Sequence, residues 1–117
     1  MSASDEFPRG WYIPGSAPTN VDAVITIPAV PGFAHILTDW AVMLLSYNAA
    51  EVGTQITVNG IALGQIYLPP ASGTAYATGT DSDSGLQIAG AIGAAMVFKV
   101  AQINAGNISC RIRGYDI

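Results

Sequence analysis

Charge is what this chain has least of. Only 10% of its residues are Asp, Glu, Lys or Arg while 50% are hydrophobic, against about 25% charged in an ordinary soluble domain. Ser, Thr, Asn, Gln and Gly must keep part of the surface wet, and burial between subunits is the natural fate of the rest. Four basic residues, Arg9, Lys99, Arg111 and Arg113, stand against a formal net charge of -4. That leaves no basic stripe for phosphates, so no nucleic-acid partner is expected. A single cysteine, Cys110, excludes an intrachain disulfide framework. Its setting, Ile108-Ser109-Cys110-Arg111-Ile112, reads as a strand with a small buried thiol rather than a reactive one. The start lacks a basic stretch followed by an apolar one, hence no signal peptide is expected. The longest apolar stretch, Ala89 to Phe98, is broken by glycines and falls short of the ~20 residues of a membrane span. The expectation is a soluble protein synthesised in a cytoplasm, with no membrane partner.

Catalytic groups are equally sparse. The lone histidine, His35, has Asp39 four residues on, but along a strand that spacing covers roughly 13 Å, too far for a hydrogen-bonded pair. A strand histidine bonded to backbone or water is the expected outcome. No Gly-x-Ser-x-Gly elbow supplies a nucleophile. Asp81-Ser82-Asp83-Ser84-Gly85 resembles the start of a calcium loop, yet its glycine falls one place early and Leu86 and Ile88 stand where oxygen ligands are needed. It reads as a solvated polar loop. Gly90 and Gly93 match no phosphate-binding pattern and read as bends. Trp40, Tyr47, Tyr67 and Tyr76 are the residues from which a sugar-stacking platform would be built, although aromatics scattered through a sandwich are more often core. No catalytic residue, metal or cofactor is expected, and the protein reads as non-enzymatic.

The strongest positive signal runs from Thr54 to Leu68. Two β-rich runs flank Asn59-Gly60, and both residues tolerate the positive φ that a type I′ turn requires, so a tight hairpin is predicted. Ile56 and Val58 give it one face that needs a core, and neighbouring segments must complete the sheet. Val24 to Ile27 reads as a strand closed by Pro28. Phe33 to Tyr47 carries an apolar row on each face, which predicts a strand buried on both sides or partly covered by another subunit. Short strands are further predicted at 74–80, 86–88, 94–103 and 108–115. About eight strands between turn signals predict an all-β fold, an antiparallel β-sandwich with the jelly roll among its topologies. At 117 residues one domain suffices, and it is placed at 21–117.

Residues 1–20 contain Pro8, Pro14 and Pro18 with Gly10 and Gly15, which predicts an extended or irregular N-terminal arm. The arm also carries Phe7, Trp11, Tyr12 and Ile13, and disordered tails are usually poor in aromatics. These four are the predicted partner-binding residues, on an arm either folded back on its own domain or docked on a neighbour.

Between Val21 and Tyr115 the order Ala23-Val24-Ile25-Thr26-Ile27-Pro28-Ala29-Val30-Pro31-Gly32, His35-Ile36-Leu37-Thr38, Ser46-Tyr47-Asn48-Ala49-Ala50, then Ala105-Gly106-Asn107 to Gly114-Tyr115 resembles the small β-sandwich structural proteins of tailed bacteriophages. The resemblance implies a virion component, foremost a capsid decoration or cement protein that binds the major capsid protein or another virion subunit, commonly as a homotrimer at the shell surface. The alternative it implies is a receptor- or glycan-binding module of a tail or spike. It assigns no functional residue beyond the arm.

Overall fold

The computed structural model describes residues 9–71 and 75–117. Nine strands follow in order: β1 (Arg9–Ala17), β2 (Ala23–Ile27), β3 (His35–Ser46), β4 (Val52–Val58), β5 (Ile61–Leu68), β6 (Ala77–Asp83), β7 (Ile88–Ala89), β8 (Met96–Val100) and β9 (Gly106–Asp116). One sheet has the order β1-β9-β3-β6, with the two-residue β7 beside β3, and the other has the order β2-β8-β4-β5. All pairings are antiparallel. The chain is thus an all-β sandwich, and its pairs nest: β4 with β5, β3 with β6, β2 with β8, β1 with β9. Wrapping such a nested ribbon so that β9 also meets β3 and β8 also meets β4 produces the double-sheet jelly roll.

The predicted hairpin is the innermost pair. Asn59 and Gly60 have φ of 49° and 80°, the double positive φ of the I′ geometry. Asn59 does more than turn: its amide donates to the Val97 carbonyl and its Oδ1 accepts from the Val97 amide, each at 2.8 Å. The turn is therefore stitched to β8 as well as closing β4 onto β5.

Alternation along each strand builds the core. Leu37, Leu44, Ile108 and Ile112 from one sheet meet Ile56, Met96 and Phe98 from the other, all of them fully buried. The Trp40 and Phe98 rings lie 6.4 Å apart at 44°. In β3 the expected apolar rows are present, but a register shift between Leu37 and Asp39 changes their phase. Leu37 thereby joins Trp40, Val42 and Leu44 inside, and Ala41, Met43 and Leu45 face outward, with Met43 51% exposed. A one-residue bulge flips every later side chain to the other face, which the two-row reading did not include.

Two other boundaries differ from expectation. Asp81, Ser82 and Asp83 belong to β6 rather than to a loop. The segment 9–17 of the predicted extended or irregular arm is a nine-residue edge strand paired in register with β9 from Arg9↔Asp116 to Ala17↔Ile108. Proline is tolerated on an edge strand, where no neighbour needs its missing N–H, so Pro14 does not stop β1. Part of the arm has folded back on its own domain.

Candidate functional site

The one histidine is locked inside the sandwich. His35 is 1% exposed, its Nδ1 lies 2.6 Å from Asp116 Oδ1, and its Nε2 lies 2.8 Å from the Pro28 carbonyl oxygen. A carbonyl only accepts, so Nε2 is the donor there. Trp11 Nε1 donates to the same Asp116 oxygen at 2.9 Å. With both ring nitrogens engaged and the ring sealed from solvent, His35 has no free basic nitrogen to offer a substrate. The network instead ties β1, β9, β3 and the segment after β2 together. Asp116, 81 residues from His35, is the carboxylate that sequence spacing did not identify.

Cys110 is also buried, and burial pushes its thiol pKa up, away from the thiolate. The Asp81 to Gly85 segment does not converge on an ion. Strand alternation turns Asp81 toward Gly64 of β5, whereas Ser82 pairs with Ala41 on the outer face. The carboxylates of Asp81 and Asp83 accept hydrogen bonds from the amides of Ser82 and Ser84. No group of three metal-ligating side chains occurs among the described residues.

The predicted arm residues separate. Phe7 lies outside the described residues. Trp11 and Ile13 point inward against the core cluster, and the Trp11 indole occupies the space over Gly114, its cross-strand partner, where a Cβ would clash. Both therefore anchor β1 on its own domain. Tyr12, in the opposite phase, is 52% exposed.

Tyr12 sits on the outer face of the sheet β1-β9-β3-β6, and the strand registers set its neighbours. One row across the sheet reads Tyr12, Arg113, Asp39, and the next reads Pro14, Arg111, Ala41, Ser82. A third reads Ser16, Ser109, Met43, Thr80. The Arg113 guanidinium carbon stands 5.6 Å from the Tyr12 ring centroid, a cation–π distance. Two adjoining depressions of ≈ 160 and ≈ 330 Å³ share Tyr12, Ala41, Ser82 and Arg111. Both depressions are open to solvent rather than enclosed, so they suit side chains of a partner laid across the face better than a buried ligand. Tyr, Arg and Met are the residue types enriched at protein interfaces. The signal that could have exposed this face is the alternation of Asn107, Ser109, Arg111 and Arg113 with Ile108, Cys110 and Ile112, which gathers two of the four basic residues on one side of a strand.

The remaining aromatics are not all core, contrary to the expectation for scattered ones. Trp40 is buried, but Tyr47, Tyr67 and Tyr76 are 49%, 63% and 64% exposed. Tyr67 covers Gly53 of β4, its cross-strand partner. Tyr47 and Tyr76 flank the Ser46↔Ala77 pair at one end of the sandwich and meet edge to face, 6.1 Å between centroids at 70°. No family model, curated protein or solved structure matches the chain.

Proposed function

We propose that this protein is a non-enzymatic virion structural protein, a decoration or cement protein that binds an assembled capsid through the outer face of β1-β9-β3-β6. The observation that carries the reading is the division of its reactive groups: His35 and Cys110 are buried, while Tyr12, Met43, Arg111 and Arg113 share one exposed face. A jelly roll also occurs in viral capsid proteins, although fold alone assigns no function. A protein that binds the closed shell and not its loosened form stabilises the shell by mass action. In this reading Tyr12 is the arm's exposed contact, and Trp11 and Ile13 hold β1 in place beneath it. Deleting the chain up to Ile13 would also remove half of β1 (Arg9–Ala17), so point substitutions test the face better.

The cleaner test adds wild-type protein and a Tyr12→Ala/Arg111→Ala variant to undecorated shells of the virus that encodes it, and follows occupancy and shell survival on heating. Both side chains are exposed, so the variant keeps its fold, and loss of two interface anchors should weaken binding by about tenfold or more. Full occupancy by the variant would refute the face, and failure of the wild type to bind would refute the cement reading. A second reading, a glycan- or receptor-binding module, is favoured by the exposed Tyr47–Tyr76 pair, since aromatic faces stack on sugars. It predicts that Tyr47→Ala/Tyr76→Ala abolishes glycan or cell adhesion and leaves shell occupancy unchanged.

A further inference from the structure

A two-sheet sandwich leaves strand edges open, and natural proteins guard such edges with charge, proline, brevity or inward-pointing carboxylates. Three edges here carry such a device. β1 begins with Arg9 and has Pro14 in its middle; β2 is only five residues long; β6 turns Asp81 inward and ends on Asp83. β5 differs. Its eight residues, Ile61-Ala62-Leu63-Gly64-Gln65-Ile66-Tyr67-Leu68, include no charge and no proline, and Ile61 and Tyr67 are 59% and 63% exposed. The one irregularity, an extra residue at Leu63 opposite β4, lies near the strand's start and leaves Gly64 to Leu68 in regular register with Ile56 to Val52. Among the described residues, β5 pairs with β4 alone, and its other backbone edge meets no backbone partner.

We propose that β5 is the surface through which two copies of this chain associate, edge to edge and antiparallel about a two-fold axis near Ile66. Self-pairing about a two-fold axis sets the axis residue opposite its own copy and its neighbours diagonally across from theirs, so any charge near the axis would lie close to its like. β5 has none. With the axis at Ile66, Gln65 of one copy stands opposite Tyr67 of the other, an amide facing a phenol. The same two groups already hydrogen-bond within one chain at 3.3 Å. The contact closes on itself, whereas joining β5 to the equally uncharged β2 of a neighbour would leave a free edge at each end and grow a filament. Backbone pairing of this kind also covers part of the exposed apolar surface that a chain with 10% charge and 50% hydrophobic residues carries. It implies two-fold rather than three-fold assembly, and it stands independently of what the assembled protein binds.

The test is self-association of the full chain measured by sedimentation across a wide concentration range. Wild type should sediment as a dimer of 12.1 kDa subunits. Gln65→Lys, at an exposed position, should keep its thermal midpoint but weaken dimerisation severalfold, because the two lysines then stand diagonally across the axis, about 7 to 8 Å apart. Mixing Gln65→Lys with Gln65→Glu should restore dimers. Independently of any variant, amide exchange over Gly64 to Leu68 in the wild type should slow as concentration rises. A monomer at every concentration, a three-fold mass, or a dimer indifferent to Gln65→Lys with no protection at β5 would overturn the proposal.

Discussion

Strands β4 and β5 are joined by two residues, whereas β1 and β9 bring together positions as distant as Trp11 and Asp116, 105 apart in the chain. The inner pair rests on a backbone conformation that Asn59-Gly60 adopts readily, and its apolar side chains alternate visibly. The outer pair rests on a buried polar network in which Asp116 accepts from Trp11 and faces His35, and on an indole laid over Gly114. A local pair needs only the right turn residues, because little chain entropy is lost in closing it. A pair between the chain's ends has no turn to specify it, so side-chain interactions must select it.

The largest effect is expected from breaking the outer pair. Asp116→Ala removes the shared partner of the Trp11 indole N–H and of the buried His35 Nδ1, at about 1 to 3 kcal/mol for each buried group left unsatisfied. Destabilisation of about 2 to 5 kcal/mol in chemical denaturation is the expected outcome. A change below 1 kcal/mol, taken as roughly the worth of one ordinary hydrogen bond, would show that the network does not hold β1 in place.

Gly60→Val should cost less, about 1 to 3 kcal/mol, because a β-branched residue resists positive φ. No atom lies within 4 Å of a Cβ built at Gly60, so the cost is backbone strain without a clash. An unchanged denaturation midpoint would mean that the I′ turn is not required for the inner pair.

Of the expected outcomes, the smallest in free energy and the most direct in location concerns Cys110, on β9 opposite Gly15 of β1. Burial raises its pKa, so native protein should react slowly with thiol reagents at a pH where a free thiol, pKa about 8.5, is half ionised. The sign follows from linkage: ionisation favours the unfolded chain. This contribution is fully present below the unfolded thiol's pKa and is lost as pH rises from there through the raised folded value. Labelling should accelerate in Asp116→Ala, where β1 is loosened, and remain slow in Gly60→Val. Equal acceleration in both would mean that the two pairs open as one unit.

Much of the sandwich is legible in the sequence. The hairpin, the strand after Asp22, the long strand ending near Tyr47 and the closing strand all follow from alternation and turn residues. β1 was missed because three prolines and two glycines within residues 1–20 mark an irregular segment by local rules, and only an edge position makes Pro14 harmless. The candidate face is legible in part. Tyr12 was singled out with Trp11 and Ile13, but which of the three faces outward depends on the phase of a strand that the local pattern did not reveal. Arg111 and Asp39 join it through β9 and β3, across pairings that no short-range rule specifies.

The sequence by itself therefore determined the β class, the local turns, the inward rows and the scarcity of charge, since each depends on residues a few positions apart. Only the tertiary structure decided that β1 closes the sheet beside β9, that Asp116 is the partner of His35, and that β5 is left as the unguarded edge. Those outcomes depend on contacts between segments whose order in space is fixed by the nesting of four strand pairs, and a pairing across a hundred residues leaves no periodicity to read.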